Sequence, residues 1–179
     1  MLTSDNTVLT LVDIQVKLIP VMYEKDLLIK QLKTLVQGAV HMGLPVLWLE
    51  QYPKGLGATI SDIVELLPNN APIAKTSFSA WGSTEFRQKL QGFDRKNVLI
   101  AGIESHICVY HTVCDLLKRG YRTEIVIDAI TSRTEANRNI GIERMKQSGA
   151  NITSVEMCLF ELLRTAESTN FKRIATLVK

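Results

Sequence analysis

The feature of this sequence that most restricts its fold is the alternation of short apolar runs with longer segments of helical period. Runs such as 7–13 (TVLTLVD) and 97–101 (NVLIA) are apolar at most positions, which is typical of parallel strands covered by helices on both faces. A strand with one solvated face would alternate apolar and polar residues. The six predicted strands are 7–13, 45–50, 71–75, 97–101, 122–127 and 151–155.

The segments between these strands have the spacing of amphipathic helices. Residues 26–42, for example, carry leucines at three- and four-residue intervals and are followed by Gly43, a suitable helix cap. The order of elements predicts right-handed crossovers and a three-layer, doubly wound, Rossmann-like α/β fold with a six-stranded, mainly parallel sheet. No linker or repeat interrupts the pattern, so we expect residues 1–179 to form a single domain. The predicted helices are 26–42, 82–91, 105–119, 134–148, 156–164 and 171–178.

Composition restricts the expected binding partners and the expected cellular compartment of the protein. The net charge is only +3 and its basic residues are scattered, which predicts neither a nucleic-acid nor a membrane partner. Three cysteines cannot all pair within one chain, and the N-terminus lacks the pattern of a secretory leader. We therefore expect a cytoplasmic protein with free thiols.

Three candidate catalytic residues follow the ends of separate predicted strands. Ligands of open α/β sheets bind beyond the carboxyl ends of the strands, where Asp13, Lys75 and Cys108 are expected, with the loop 51–60 as one wall. A partly buried Asp13 suits a general base, although a helix cap or an ion-pair partner is an equally good interpretation. Lys75 could hold Asp13 ionised, but a lone lysine at a strand end is more often solvated.

Cys108 is the strongest candidate nucleophile. It lies near the start of a predicted helix, where the positive end of the helix dipole would favour a thiolate. Cys114 and Cys158 are interpreted as buried packing residues. His111, three residues after Cys108, is an alternative base, in which case Asp13 would be a bystander.

The sequence contains no recognisable metal or cofactor motif. Its three histidines are scattered, and no Cys-x-x-Cys or His-Glu-x-x-His spacing occurs. The segment 55–57 (GLG) lacks the third glycine of a dinucleotide-binding fingerprint. We therefore predict no metal and no cofactor.

Four stretches resemble the isochorismatase-like cysteine hydrolases, which include nicotinamidases and N-carbamoylsarcosine amidohydrolases. The segment 50–57 (EQYPKGLG) is most similar to the isochorismatase domain-containing subgroup. The four stretches are 11–15 (LVDIQ), 74–81 (AKTSFSAW), 102–109 (GIESHICV), and 127–129 (IDA) followed by 132–133 (SR).

The resemblance implies a catalytic set of Asp13, Lys75 and Cys108. It also implies a cis peptide bond between Ile103 and Glu104, with the backbone N–H groups of Glu104 and Cys108 forming an oxyanion hole. The metal-binding Asp and His residues of nicotinamidases have no counterpart at 50–60, and isochorismatase itself lacks the cysteine.

These differences favour a metal-independent cysteine hydrolase that cleaves a non-peptide amide or related C–N bond of a small molecule through a thioester. Candidate substrate-binding residues are Gln15 and three aromatic residues that are equally suited to packing, Tyr52, Phe78 and Trp81.

Two alternatives use the same fold without hydrolysis: a catalytically quiet binding protein and a redox sensor acting through Cys108. The resemblance also implies a homo-oligomer, a dimer or larger. Leu159, Phe160 and Leu163 on a terminal helix are the predicted interface residues.

Overall fold

Six parallel strands form the central sheet of the computed structural model, which describes residues 1–179. Their order across the sheet is β3-β2-β1-β4-β5-β6, which confirms the predicted doubly wound α/β fold, here with an entirely parallel sheet. The strands are β1 (Thr7–Val12), β2 (Val46–Gln51), β3 (Ile73–Lys75), β4 (Asn97–Ile103), β5 (Arg122–Thr131) and β6 (Asn151–Thr153).

Helices cover both faces of the sheet, because the central strands are apolar on both sides. Every residue of β1 is buried, and two separate apolar clusters form, one on each face. The first cluster includes Leu32, Leu159 and Ile174, and the second includes Phe86 and Met145. The helices are α1 (Lys25–His41), α2 (Pro53–Leu56), α3 (Ser61–Val64), α4 (Thr84–Gly92), α5 (Tyr110–Leu117), α6 (Glu135–Gln147), α7 (Val155–Leu163) and α8 (Phe171–Leu177).

The predicted interface on α7 is corrected by this packing. Leu159 and Leu163 are buried within the chain, and the Leu159 side chain lies against Gly38 of α1. Phe160 remains partly exposed, with its ring edge-on to that of Phe171. The apolar period of this helix therefore reflects contact with its own core, a role that the sequence pattern alone does not distinguish from an interface.

Three elements differ from their predicted form. Strand β5 continues to Thr131, and its pairing with β4 shifts register between Ile100 and Gly102. The loop after β2 contains the short helices α2 and α3. The segment predicted as one helix from residue 105 begins with a π-helical turn, Ser105–Val109, before α5.

The point where the strand order reverses lies between β1 and β4. The chain continues from β1 to β2 and β3 on one side, and the later strands β5 and β6 extend the sheet on the other. A crevice outside the carboxyl ends of β1 and β4 is the expected ligand site of such a sheet. No helix of the chain has both the length and the apolar character required to cross a membrane.

Candidate active site

Asp13 leaves the end of β1 in a strained backbone conformation. Its φ is 53°, in the left-handed region that non-glycine residues rarely adopt, and its side chain is 1% exposed. The neighbouring strand passes close by, since a Cβ at Gly102 would lie 2.2 Å from the carbonyl oxygen of Val12. Close pairing of β1 and β4 thus fixes the backbone that presents the carboxylate.

Lys75, the last residue of β3, forms a buried ion pair with Asp13. The Lys75 Nζ lies 2.8 Å from Asp13 Oδ2, 2.6 Å from Gln51 Oε1 and 3.3 Å from the carbonyl oxygen of Ser77. Its three protons therefore have three acceptors, which compensates for the loss of hydration of a side chain that is 0% exposed.

Cys108 lies within the π-helical turn after β4 and is 8% exposed. Its thiol faces both Asp13 and Lys75. Burial and then the negative charge of Asp13 raise the pKa of Cys108 to about 12, although Lys75 opposes the shift. The expected activation of a thiolate by the helix end is therefore wrong for the resting protein, because burial and the facing carboxylate outweigh it.

The pKa of Asp13 is also raised, mainly by burial, while Lys75 and the hydrogen-bond donors around the carboxylate lower it. Asp13 Oδ2 accepts from Lys75, whereas Oδ1 is buried without a hydrogen-bond partner. An unpaired buried carboxylate oxygen beside a protonated thiol is suited to accept a proton.

No histidine contributes to this cluster. His106 Nδ1 lies 3.0 Å from Ser132 Oγ, and His111 is exposed on α5 with its ring 6.0 Å from that of Phe78. The charged groups that shift the pKa of Cys108 are Asp13 and Lys75 alone. The structure therefore favours Asp13 over His111 as the base.

Gln15 is buried, and its predicted role in substrate binding is corrected by its hydrogen bonds. Its Nε2 donates to the carbonyl oxygens of Gln51 and Gly57 at 3.0 and 2.7 Å, and its Oε1 accepts from the Gln51 N–H at 2.8 Å. Since both ends of the amide bind backbone, Gln15 holds the loop after β2 against the end of β1.

Tyr52 and Phe78 lie at different places near the ion pair. Tyr52 lines a cavity of about 510 Å³ together with Lys54, Lys75 and Ser77. Phe78 is 55% exposed and does not line this cavity. Tyr52 thus remains a candidate for contact with a substrate, and Phe78 lies on the surface beside His111.

Trp81 is not brought to the ion pair. The turn Ala80–Gly82 directs its ring towards the end of α5, where it lies 4.5 Å from the Arg119 guanidinium and 6.0 Å from the Tyr121 ring. It lines a separate cavity of about 360 Å³. Its predicted role in lining the substrate pocket is therefore corrected: the tryptophan packs against Arg119 and Tyr121, between α5 and β5.

Glu104 connects the loops that follow β4 and β5. The Ile103–Glu104 peptide is cis. The Glu104 carboxylate accepts from the Arg133 backbone N–H at 3.3 Å and forms an ion pair with the Arg133 guanidinium, whose Nε lies 3.3 Å from Glu104 Oε1. The Glu104 N–H has no backbone acceptor. An N–H without a backbone acceptor next to the cysteine turn is available to an oxyanion.

Gln51 and Arg133 contact Lys75 and Glu104 respectively. Both lie in stretches that carry the family resemblance, 50–57 and 132–133, but the sequence does not indicate which side chains they contact. No three His, Cys, Asp or Glu side chains converge closely enough to hold a metal ion. Of the other thiols, Cys158 is fully buried, with its pKa raised by burial, and Cys114 is half-buried.

Comparison with known proteins identifies the family of this chain. The isochorismatase domain model matches residues 7–157. The chain therefore belongs to the isochorismatase family and is an isochorismatase-family hydrolase.

Particular relatives match nearly the whole chain. Isochorismatase domain-containing protein 2 of Danio rerio is 35% identical, covering 99% of this chain and 89% of the relative. The secreted isochorismatase effector Isc1 of Phytophthora sojae is 36% identical, covering 97% and 85% respectively.

Solved structures show the same fold. MAR1 ribonuclease from Caenorhabditis elegans has a TM-score of 0.93 and 32% identity, covering 99% of this chain and 91% of that chain. The YcaC product of Escherichia coli, described as an octameric hydrolase of unknown specificity, has a TM-score of 0.93 and 24% identity, covering 98% and 88%.

Proposed function

We propose that this protein is a cysteine hydrolase that cleaves an amide or related C–N bond of a small molecule through a thioester on Cys108. The observation that carries the proposal is the buried Lys75–Asp13 ion pair, with a nitrogen–oxygen distance of 2.8 Å, facing the Cys108 thiol. An ion pair that only stabilised the fold would not need a nucleophile beside its carboxylate.

In the first half-reaction, Asp13 accepts the thiol proton as the sulfur attacks the carbonyl carbon of the substrate. Lys75 keeps Asp13 ionised, and the N–H groups of Glu104 and Cys108 donate to the oxyanion of the tetrahedral adduct. Asp13 then delivers the proton to the leaving nitrogen, the C–N bond breaks, and an acyl thioester remains.

In the second half-reaction, Asp13 accepts a proton from water, whose oxygen attacks the thioester carbonyl. The C–S bond breaks, the sulfur recovers the proton, and the acid product leaves. The raised pKa of Asp13 suits this repeated transfer, because a more basic carboxylate accepts a proton more readily.

Redox sensing receives less support from the same geometry. Oxidation to a sulfenate begins with a thiolate, and a pKa of about 12 keeps Cys108 protonated near neutral pH. In the proposed hydrolysis the thiol instead passes its proton to Asp13 as the sulfur attacks an electrophilic carbon.

The test is a screen for ammonia or amine release from small amides, ureas and carbamoyl compounds. RNA is assayed separately as a further candidate substrate, because one similar solved structure is called a ribonuclease. We expect release from at least one C–N substrate by the wild type and by Cys114→Ala, and none by Cys108→Ala. Cleavage of RNA alone, or equal release by Cys108→Ala, would overturn the proposal.

We also propose that the whole chain acts as one domain and assembles into a homo-oligomer. The octameric state named for the E. coli YcaC structure supports the second point. A cytoplasmic location stays a prediction, since one relative is called a secreted effector.

A further inference from the structure

We infer that Gln51 is a positioning residue, which uses its amide oxygen to hold the Lys75 ammonium against Asp13. The inference rests on the proposed function, since Lys75 and Asp13 are the groups it serves. Gln51 does not contact the Cys108 thiol and acts through Lys75.

The contact between Gln51 and Lys75 is direct and oriented. Gln51 Oε1 lies 2.6 Å from Lys75 Nζ, and the other end of the amide, Nε2, donates to the carbonyl oxygen of Thr76 at 2.8 Å. Because a carbonyl oxygen can only accept, the Thr76 contact fixes which end of the amide points at the ammonium. The lysine therefore meets an acceptor and never the NH₂ group.

The backbone of Gln51 is fixed as firmly as its side chain. The buried side chain of Gln15 binds both the N–H and the carbonyl oxygen of Gln51, at 2.8 and 3.0 Å. Gln15 lies two residues after Asp13, so one short segment carries the carboxylate and holds the residue that orients its cation. This connection couples the end of β2 to the end of β1.

The neutrality of Gln51 matters as much as its oxygen. The Asp13 carboxylate faces the side chains of Lys75 from β3 and Cys108 from the turn after β4, together with the backbone of Gln51 from β2. The Gln51 side chain reaches it only through Lys75. A carboxylate at position 51 would share the cation with Asp13 and place a like charge nearby. Like charges disfavour ionisation, so Asp13 would accept a proton at higher pH.

The experiment measures the pH dependence of Cys108 alkylation by iodoacetamide, followed by mass spectrometry with peptide assignment. The variants are Gln51→Glu and Gln51→Met, with Gln91→Glu as a control that adds the same charge at an exposed site on α4. Alkylation requires an ionised Asp13 to accept the thiol proton, so its acid midpoint reports on Asp13 without any substrate.

We expect Gln51→Glu to raise this midpoint by about one to two pH units, because a close like charge acts strongly in a buried site. Gln51→Met removes the acceptor, and we expect a smaller rise together with about a tenfold slower plateau rate, since Lys75 is then held less firmly. The Gln91→Glu control should match the wild type.

An unchanged midpoint and plateau in both variants would overturn the inference. If Gln51→Glu does not fold, as judged by circular dichroism, the decision rests on Gln51→Met, which preserves the shape of the side chain. If the variants shift the alkylation profile but the wild type hydrolyses none of the C–N substrates, Gln51 is the positioning residue and the proposed function is refuted. If the wild type hydrolyses a C–N substrate but the variants leave the profile unchanged, the proposed function stands and the role of Gln51 is refuted.

Discussion

At the scale of the residue, the site depends on two charges removed from water together. The Lys75 and Asp13 side chains are 0% and 1% exposed. Removing one member of such a pair leaves an unpaired buried charge and costs about 3–5 kcal/mol. Substitutions at these positions therefore affect folding as well as chemistry, and Cys108 is the better residue for separating the two.

The raised pKa of Cys108 leads to a prediction that can be tested without an activity assay. The ultraviolet absorbance of thiolates, measured as wild type minus Cys108→Ser, should show no rise from about pH 6 to about pH 10, where an ordinary cysteine ionises. The sign follows from burial and from Asp13, which both favour the neutral thiol and bring the pKa to about 12. A rise centred below pH 9 would show that the helix end dominates instead.

The residues of the site are partly predictable from sequence, and the reason lies in the parallel sheet. Asp13, Lys75 and Cys108 could be grouped because the carboxyl ends of parallel strands share one edge. The hydrogen bonds of the Gln15 side chain and the orientation of the Trp81 ring could not be predicted. Both depend on contacts with residues distant in sequence, Gly57 for Gln15 and Arg119 for Trp81.

At the scale of the element, the turn that carries Cys108 is held by close contact with α6. A Cβ at Gly141 would lie 2.6 Å from the carbonyl carbon of Ser105 and 2.7 Å from the His106 nitrogen. These are backbone atoms of the π-helical turn, which cannot rotate away as a flexible side chain could. Any larger residue at position 141 must move the turn.

We predict that Gly141→Ala lowers the free energy of unfolding by about 1–3 kcal/mol and reduces the rate of Cys108 alkylation, because overpacking displaces the turn. Gly92→Ala, at the end of α4 with no atom within 4 Å of its Cβ, is the matched control and should be neutral or slightly stabilising. Denaturant titration measures both. Equal stability of the two variants would show that α6 does not constrain the turn.

At this scale, some elements are predicted from the sequence pattern more accurately than others. Strands buried on both faces are predicted within a few residues, because most of their positions are apolar. The sequence pattern predicts that β5 ends at Ile127, because an Asp is typical of a strand end. The strand instead continues to Thr131, and the Asp128 carboxylate accepts from the N–H of Val155, the first residue of α7, at 2.9 Å. The π-helical turn is likewise set by packing against α6, which no local pattern encodes.

At the scale of the whole molecule, the proposed assembly predicts a mass well above that of one chain. Several large apolar side chains remain exposed, among them Tyr52, Phe78 and Met157. Light scattering at micromolar concentration should give a multiple of 20.0 kDa, two or greater. A mass of one chain under these conditions would contradict the proposed homo-oligomer while leaving the chemistry of the single chain untouched.

The central claim is that Cys108 forms a covalent acyl intermediate with Asp13 as its base. The most direct measurement is intact mass spectrometry of protein quenched in acid during turnover of a substrate found in the screen. We predict an added mass equal to the acyl group, assigned to the peptide containing Cys108, released by hydroxylamine and absent from Cys108→Ala. Turnover with no adduct on Cys108 under any quench time, or an adduct on another residue, would contradict the claim.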